Sequence, residues 1–175
     1  MISPLVVFWL LTGAISCPAR DTPGPPAAIS GLAPPAFGEL VVDAALGFVG
    51  RPYRFGGENP RTGVDCAGLV RLVFSSVGVD LPRTAGGQIR LGREIPRLEI
   101  EAGDLIFFRD TSRRGISHVG IAIGNNRFVH AASCKRGVCI SSLASRYYRE
   151  HYESARRLLE SPSDEGYGSD SCQSR

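Results

Sequence analysis

A cysteine stands where a glycine-rich segment gives way to a helical pattern. After Asp65-Cys66, apolar residues recur at helical spacing; they are Leu69, Val70, Val73, Phe74 and Val77. The pattern predicts a helix that begins at Cys66 and takes Asp65 as its N-cap, because a carboxylate can accept the free backbone N–H groups of a first turn. The positive end of the helix dipole favours a thiolate over a thiol, so Cys66 is predicted to be a nucleophile. The alternative is a small buried cysteine at the start of a structural helix.

A cysteine nucleophile needs a base that takes its proton and returns it to the leaving group, and this chain has three histidines. His118 opens an alternating segment, 118–123, and His130 lies near the end of a second segment, 127–131. The residues Gly124-Asn125-Asn126 between the two segments are typical of a turn. The pattern therefore predicts a β-hairpin that carries one histidine on each strand.

The length of the hairpin loop decides whether the two histidines can meet. A loop of three residues would place His130 on the same face as His118, diagonal to it and about 7–8 Å away at the backbone. An even-numbered loop would turn His130 to the other face. An asparagine in the left-handed conformation suits the loop of three residues. The small residues Gly120 and Ala122 on the histidine face would then let the Cys66 helix lie close.

We therefore predict a triad in which Cys66 is the nucleophile, His118 is the base and acid, and His130 orients His118. The backbone N–H of Cys66 is a predicted oxyanion donor, because the first turn of a helix leaves its N–H groups without helical partners. For each histidine taken alone, a hydrogen-bonded structural role is the alternative. His151 lies among charged residues and is predicted to be structural. No metal or other cofactor is implied, since no pair of histidines or cysteines has ligand spacing.

The elements around the triad predict an α+β fold. Residues 39–49 have helical spacing, Gly50 and Pro52 end that helix, and Gly78 is suited to end the second one. Residues 53–64 carry several glycines and a proline, which predicts an irregular loop. Further strands are predicted at 105–108, 138–141 and 152–158, with a loop at 110–115. Helices first and strands afterwards indicate a mainly antiparallel sheet with the nucleophile's helix packed on it.

The chain begins with a segment that predicts export. Residues 1–16 contain an apolar run that is too short to span a bilayer but has the length of a signal-peptide core. Ala14-Ile15-Ser16-Cys17 resembles a bacterial lipobox, in which the cysteine becomes the lipidated first residue. It departs from that pattern because no Lys or Arg precedes the apolar run and Ala14 stands where Leu is usual. The alternatives are an uncleaved anchor and cleavage after Ser16 by an ordinary signal peptidase, which would release a soluble protein.

The rest of the chain divides into a linker, one domain and a tail. Residues 17–38 are rich in proline, alanine and glycine, which is typical of an extended linker. Residues 39–160 form the predicted catalytic domain, and its length is sufficient for one hydrophobic core. Residues 161–175 are rich in serine, glycine and aspartate and are predicted to be disordered. We expect the domain to be a monomer.

Export would place the remaining cysteines in an oxidising compartment. The spacing of Cys134 and Cys139 is compatible with a disulfide across a short turn, and two unpaired thiols are the alternative. The formal net charge is +3, and the arginines are scattered along the chain rather than aligned in a stripe. No nucleic-acid partner is therefore predicted.

Five blocks of sequence, in order along the chain, resemble the NlpC/P60 family of cysteine peptidases. The first block, which resembles the family's nucleophile signature, is Tyr53-Arg54-Phe55-Gly56-Gly57 with Gly63-Val64-Asp65-Cys66-Ala67-Gly68-Leu69. The others are Leu81-Pro82-Arg83-Thr84 with Gln88, Gly103-Asp104-Leu105-Ile106-Phe107-Phe108, Ser117-His118-Val119-Gly120-Ile121-Ala122-Ile123-Gly124, and Phe128-Val129-His130-Ala131. The similarity runs over residues 39–158, essentially the whole predicted domain.

The resemblance implies a papain-like α+β fold and hydrolysis of peptidoglycan stem peptides, usually between D-glutamate and a diamino acid such as meso-diaminopimelate. It also implies that Tyr53 lines the active site, together with Asp65, Ala67 and Ser117. The family's third catalytic position is often histidine, which His130 supplies. Ala67 stands where the family usually has serine, which bears on substrate preference or rate rather than on the triad.

The leading hypothesis is an exported cysteine endopeptidase of the bacterial cell envelope, either periplasmic or secreted. Its expected partners are peptidoglycan stem peptides and, if Cys17 is lipidated, the membrane. One alternative is an amidase or acyltransferase that uses the same three residues on another amide. Another is a non-catalytic wall-binding protein, against which the three chemically competent triad positions speak.

Overall fold

The computed structural model describes residues 37–132 and 137–158 of the chain. The predicted signal peptide (1–16), the linker up to residue 36, the tail (161–175), Cys17 and Cys134 lie outside the described residues. Within the described ranges, no helix has the length and apolar character that crossing a membrane requires.

The helices of the described ranges are α1 (Phe37–Leu46), α2 (Cys66–Ser76), α3 (Ala85–Gln88) and α4 (Arg146–His151). Helix α2 begins at the predicted residue and ends at Ser76. Gly78 follows with a φ of 86°, which turns the chain away from the helix, and its N–H donates to the carbonyl of Ser75. Helix α1 ends at Leu46, before the predicted end at residue 49. Helix α4 was not predicted, because it buries no residue and so has no apolar period.

The strands of the described ranges are β1 (Glu58–Asn59), β2 (Gly63–Val64), β3 (Arg93–Ile95), β4 (Leu105–Arg109), β5 (Ile116–Ala122), β6 (Arg127–Ala131), β7 (Val138–Ser142) and β8 (Tyr152–Arg157). Strands β3 to β8 form one sheet in the order β3-β8-β4-β5-β6-β7, and every neighbouring pair is antiparallel. The predicted α+β fold with a mainly antiparallel sheet is confirmed.

Three short strands are not predicted by the sequence pattern. Strands β1 and β2 form a small hairpin, so the prediction of a wholly irregular loop at 53–64 is wrong. Two residues per strand are too few to show an alternating period. The edge strand β3 buries only Ile95 among its residues, and its polar character hid it in the same way.

The sheet packs side chains on both of its faces. Helices α1 and α2 lie on one face, where Val119 and Ile121 of β5 join the core of the two helices. The opposite face carries Phe108 and Phe128, against which Tyr148 of α4 packs with ring centroids 5.1 and 4.9 Å away. The two core clusters bury the large side chains of the central strands from both sides.

The prediction that Gly120 and Ala122 face the Cys66 helix is wrong. Ala122 belongs to the opposite face, and a Cβ atom at Gly120 would lie 2.6 Å from the Phe128 ring. Gly120 therefore makes room for an aromatic side chain on its own sheet. Helix α2 packs instead on the face of Val119 and Ile121, because their large apolar side chains offer more surface to bury.

A buried ion pair ties β8 to the start of β4. Arg157 donates from Nε to Oδ1 of Asp104 at 2.9 Å and from Nη2 to Oδ2 at 3.0 Å. Asp104 is 2% exposed and also accepts the N–H of Glu101 at 2.8 Å. Because so buried a carboxylate has lost its hydrating water, these hydrogen-bond donors stabilise its negative charge.

We expect Arg157→Leu to lower the free energy of unfolding by about 3 kcal/mol, because it leaves the Asp104 carboxylate buried without its cation. Urea unfolding followed by circular dichroism measures the loss. The matched control is Arg146→Leu, which breaks a pair with Glu150 whose arginine side chain is 86% exposed. That control should cost less than about 0.5 kcal/mol. Equal losses in the two variants would contradict the structural role of the buried pair.

Candidate active site

Cys66 is the first residue of α2, and its surroundings confirm the predicted helix start. Asp65 is the N-cap: its Oδ1 accepts the N–H of Gly68 at 2.7 Å, and its carbonyl accepts the N–H of Leu69 at 2.9 Å. The sulfur therefore lies at the end of the helix where backbone N–H groups are free to meet a negative charge.

Cys66 opens onto a cleft of about 900 Å³ that also contains both predicted catalytic histidines. The cleft is lined by Tyr53, Phe55, Gly56, Asp65, Cys66, Ala67, Arg83, Thr84, Ala85, Thr111, Ser112, Arg113, Ser117, His118, His130, Ala131, Ala132, Tyr147 and Tyr148. The four residues expected to line the site, namely Tyr53, Asp65, Ala67 and Ser117, are among them. Their roles toward a substrate stay predictions.

The β5–β6 hairpin has the three-residue loop that brings the histidines together. Ile121 pairs with Val129, and the loop residues Asn125 and Asn126 have φ angles of 52° and 54°. In this register the two histidines share a face, and His118 Nε2 lies 2.8 Å from His130 Nδ1. A hydrogen bond therefore joins the two imidazoles through Nε2 of His118, and Nδ1 is the ring nitrogen of His118 outside this bond.

A β-bulge precedes His118. Phe108 of β4 pairs with His118, but Arg109 pairs with Ile116, so Ser117 is the extra residue. The Ser117 hydroxyl accepts the N–H of Thr111 at 3.0 Å and lies 2.9 Å from the Thr111 hydroxyl. Ser117 thus joins the start of β5 to the loop after β4, and bulges of this kind commonly re-aim a side chain beside an active site.

His130 is 1% exposed, and its second nitrogen meets residues that were not predicted. His130 Nε2 lies 2.9 Å from the Ser141 hydroxyl, 3.3 Å from the Tyr148 hydroxyl and 3.6 Å from Cys139 Sγ. Ser141 and Cys139 come from β7, where Cys139 pairs directly with His130. The hydrogen-bonded series therefore continues from His118 through His130 to a neighbouring strand.

Burial disfavours a charge on Cys66 or on His118 when only one of the two is ionised. It raises the pKa of the Cys66 thiol, and the negative charge of Asp65 raises it further, against backbone hydrogen bonds from Val119, Ala67 and Cys66. Burial also lowers the pKa of His118 from 6.5 to about 4. The expectation that the helix start would favour the thiolate is therefore wrong in direction, since burial and Asp65 outweigh the backbone donors.

This environment favours moving a proton within the pair over charging one member alone. Transfer of the thiol proton to His118 creates two opposite charges and no net charge, so the attraction between them offsets part of the desolvation cost. The reactivity of Cys66 should then depend on a neutral His118 that can accept the proton.

Asp65 has a second structural function besides capping α2. Arg83 donates to both of its oxygens, at 3.0 and 2.8 Å, and the N–H of Gly56 donates to Oδ2 at 3.0 Å. Arg83 also pairs with Glu58 of β1 at 3.2 Å. Asp65 thus joins the segment before β1, the start of α2 and the Arg83 segment into one wall of the cleft.

Gln88 supports the first turn of α2 through hydrogen bonds from its side chain. Its side-chain amide is buried and donates to the carbonyls of Ala67 at 3.1 Å and Pro82 at 2.8 Å. Tyr53 forms a parallel bridge with Val64, which places it at the cleft beside helix α2. These contacts hold the Cys66 side of the cleft by backbone as well as by side chains.

The remaining predicted residues lie outside the cleft lining. His151 donates from Nδ1 to the carbonyl of Tyr147 at 2.8 Å and stacks on the Tyr147 ring, so its predicted structural role is confirmed. Cys139 Sγ lies 3.6 Å from His130 Nε2. Since Cys134 lies outside the described residues, the disulfide between Cys134 and Cys139 stays a prediction.

Sequence reasoning missed Arg83, Ser141 and Tyr148 as parts of the site's framework. Arg83 was noted only as part of a resemblance block. Ser141 pairs with Phe128 and shares the face of His130 through the register of β6 and β7, which no local sequence pattern indicates. No local signal marks Tyr148, because α4 has no apolar period.

Comparison with known proteins identifies the class to which this fold and cleft belong. Residues 50–157 match the family model described as NlpC/P60 family. A structure of an NlpC/P60 family protein from Bacillus cereus superposes with a TM-score of 0.67 and 32% sequence identity, over 73% of this chain and 42% of that one. The chain therefore belongs to the NlpC/P60 family.

Two curated relatives show the range of activities named within the family. The bifunctional muramidase/DL-endopeptidase CwlT of Bacillus subtilis is 44% identical over 70% of this chain and 37% of its own length. The murein DD-endopeptidase MepH of Escherichia coli is 40% identical over 63% of this chain and 42% of its own length. The chain thus spans less than half the length of either relative.

We expect alkylation of Cys66 by iodoacetamide to slow as the pH falls through about 4, the pKa of His118. Above that pH, neutral His118 can accept the thiol proton; below it the imidazolium cannot, and the raised thiol pKa leaves little thiolate. The rate is measured on the Cys66 peptide by mass spectrometry across the acidic and neutral range.

The control for this measurement is His118→Gln. It should remove the inflection near 4, so that alkylation rises only toward the raised pKa of the thiol itself. An inflection at the ordinary histidine value of 6.5 in the wild type would show that His118 is not desolvated as the structure indicates.

Proposed function

We propose that this chain is an exported cysteine endopeptidase that hydrolyses peptidoglycan stem peptides through Cys66, His118 and His130. The observation that carries the proposal is the shared cleft, in which a cysteine at a helix start and a hydrogen-bonded histidine pair open onto one space. CwlT and MepH, both at least 40% identical to the chain, are named as endopeptidases, and MepH as one that acts on murein.

In the proposed reaction, Cys66 Sγ attacks the scissile carbonyl carbon while its proton moves to Nδ1 of His118. The carbonyl oxygen gains the negative charge of the tetrahedral intermediate and accepts hydrogen bonds from backbone N–H groups at the start of α2. His118 then gives the proton to the leaving nitrogen, the C–N bond breaks, and an acyl thioester on Cys66 remains.

The second half of the proposed reaction returns the enzyme to its starting state. Water attacks the thioester carbonyl as His118 Nδ1 removes one of its protons. Collapse of the second tetrahedral intermediate breaks the C–S bond, and His118 returns the proton to the Cys66 sulfur. Throughout, His118 Nε2–H donates to His130 Nδ1, which keeps the imidazole of His118 in one orientation.

We assign the scissile bond to the D-glutamyl–diamino acid linkage, where the diamino acid is meso-diaminopimelate or a similar residue. The family resemblance supports this choice, and CwlT is named as a DL-endopeptidase. The second candidate is a D,D bond, because MepH is named as a DD-endopeptidase at nearly the same identity. Ala67, in the cleft where the family usually has serine, is a residue at which the two preferences could differ.

Two other functions agree less well with the same observations. An amidase or acyltransferase could use the same triad on another amide, and only the substrate separates it from an endopeptidase. A non-catalytic wall-binding protein would not require the 2.8 Å contact between His118 and His130 or a cysteine at the helix start.

We further propose that the chain acts in the cell envelope as a monomer, with a lipid on Cys17 if the lipobox is used.

We expect the purified chain to release new termini at the D-glutamyl–diamino acid bond when it is incubated with peptidoglycan or defined muropeptides. Mass spectrometry of the products identifies the bond. Cys66→Ala should abolish release, whereas Cys172→Ala, which alters a cysteine of the predicted tail, should not change it. Cleavage only at a D,D bond would replace the proposed specificity. Cleavage by Cys66→Ala at the wild-type rate would overturn the nucleophile assignment.

Separate substitutions of the histidines should show their different roles. We expect His118→Ala to lower kcat by at least about 10⁴-fold, because the variant loses its base and acid. His130→Ala should lower kcat by about 100-fold, because orientation is the smaller effect. His151→Ala is the matched control and should keep wild-type activity. Wild-type activity in His118→Ala would contradict the triad, and an equal loss in His130→Ala would give His130 more than an orienting role.

A further inference from the structure

The second nitrogen of His130 decides whether His118 can act as a base. A neutral imidazole carries one N–H and one lone pair, so in a bonded pair one ring donates and the other accepts. If His118 Nε2–H donates to His130 Nδ1, the lone pair of His118 Nδ1 is free for the thiol. If His130 Nδ1–H donates instead, His118 carries its proton on Nδ1, and that nitrogen has no lone pair with which to accept the thiol proton.

The competent arrangement therefore requires His130 to carry its proton on Nε2. That proton needs an acceptor, because the ring is 1% exposed and an unpaired N–H at such a position is costly. The nearest group to Nε2 among the described contacts is the Ser141 hydroxyl at 2.9 Å. The Tyr148 hydroxyl at 3.3 Å and the Cys139 sulfur at 3.6 Å are longer contacts.

We propose that Ser141 is a positioning residue, which accepts the His130 Nε2–H and so keeps His118 in the tautomer that can take the proton of Cys66. Ser141 suits this function because β7 places it on the same face as His130. It is only partly buried, so its own hydrogen can point elsewhere while its oxygen accepts. Tyr148 is a second, longer acceptor. This proposal rests on the proposed function of the triad.

The matched pair Ser141→Thr and Ser141→Val tests the hydroxyl at nearly constant shape. Both residues favour β-strands, and they differ by a hydroxyl in place of a methyl group. We expect Thr to retain most of the wild-type kcat, and Val to lower kcat about 10- to 100-fold with KM nearly unchanged. Ser142→Ala is the control, because its side chain alternates to the other face of β7 and accepts the N–H of Ala144. Equal kcat values for the Thr and Val variants would overturn the proposal.

A spectroscopic measurement tests the same proposal without substrate. Imidazole ¹⁵N chemical shifts distinguish Nδ1–H from Nε2–H, and with three histidines in the chain a His151→Gln variant assists assignment. We expect His130 to be an Nε2–H tautomer in the wild type and in Ser141→Thr, with Nδ1–H populated in Ser141→Val. An Nδ1–H tautomer in the wild type, or no change in the Val variant, would overturn the proposal.

The two readouts also separate this proposal from the proposed function. If the chain cleaves no stem peptide, the tautomer measurement still supports or overturns the role of Ser141, and the alkylation rate of Cys66 replaces kcat. Tyr148→Phe provides a further variant, because it keeps the ring that packs on Phe108 and Phe128 and removes only the hydroxyl. Its effect on the tautomer should be smaller than that of Ser141→Val, and a larger effect would assign the positioning role to Tyr148 instead.

Discussion

The register between β5 and β6 is the constraint on which the candidate site depends. Side chains on a strand alternate between faces, so a slip by one residue would move His130 away from His118 and into the opposite core. The loop holds the register because Asn125 and Asn126 both adopt left-handed backbone conformations, which asparagine tolerates better than most residues. The register also places Gly120 against Phe128, where any side chain would clash. Turn chemistry and packing thus support the same pairing, and the 2.8 Å contact between the imidazoles follows from both.

The burial that shapes the cleft also changes how its chemistry must work. An exposed cysteine beside an exposed histidine could charge separately, but here burial raises the pKa of the Cys66 thiol and lowers the pKa of His118. In the proposed reaction the proton therefore passes between them as the sulfur attacks. Proton transfer within such a pair depends on which nitrogen of His118 already carries a proton. The hydrogen bonds behind His118, first to His130 and then to β7, are consequently as relevant to its function as the cleft itself.

Local chemistry made the central residues predictable from sequence, whereas longer-range packing did not. The start of α2 at Cys66 and the histidine hairpin follow from capping and alternation, which act over a few residues. Alternation predicts two sets of side chains on β5 but does not indicate which set the helix covers. The helix packs on Val119 and Ile121, whose large side chains bury more surface, and Gly120 makes room for Phe128 instead. The contact of Ser141 with His130 depends on the register of β6 and β7, to which no local pattern points.

The cleft brings together groups that belong to opposite sides of the sheet. Helix α2 packs on the face of Val119, whereas His118 lies by alternation on the face of Phe108, with ring centroids 5.9 Å apart. The bulge lies just before His118, and Ser117 and His118 both line the cleft at this end of β5. Bulges increase the local twist of a strand, which suits a position where groups from both sides of a sheet approach one space. The cleft is lined there by Cys66 at the start of α2 and by both histidines.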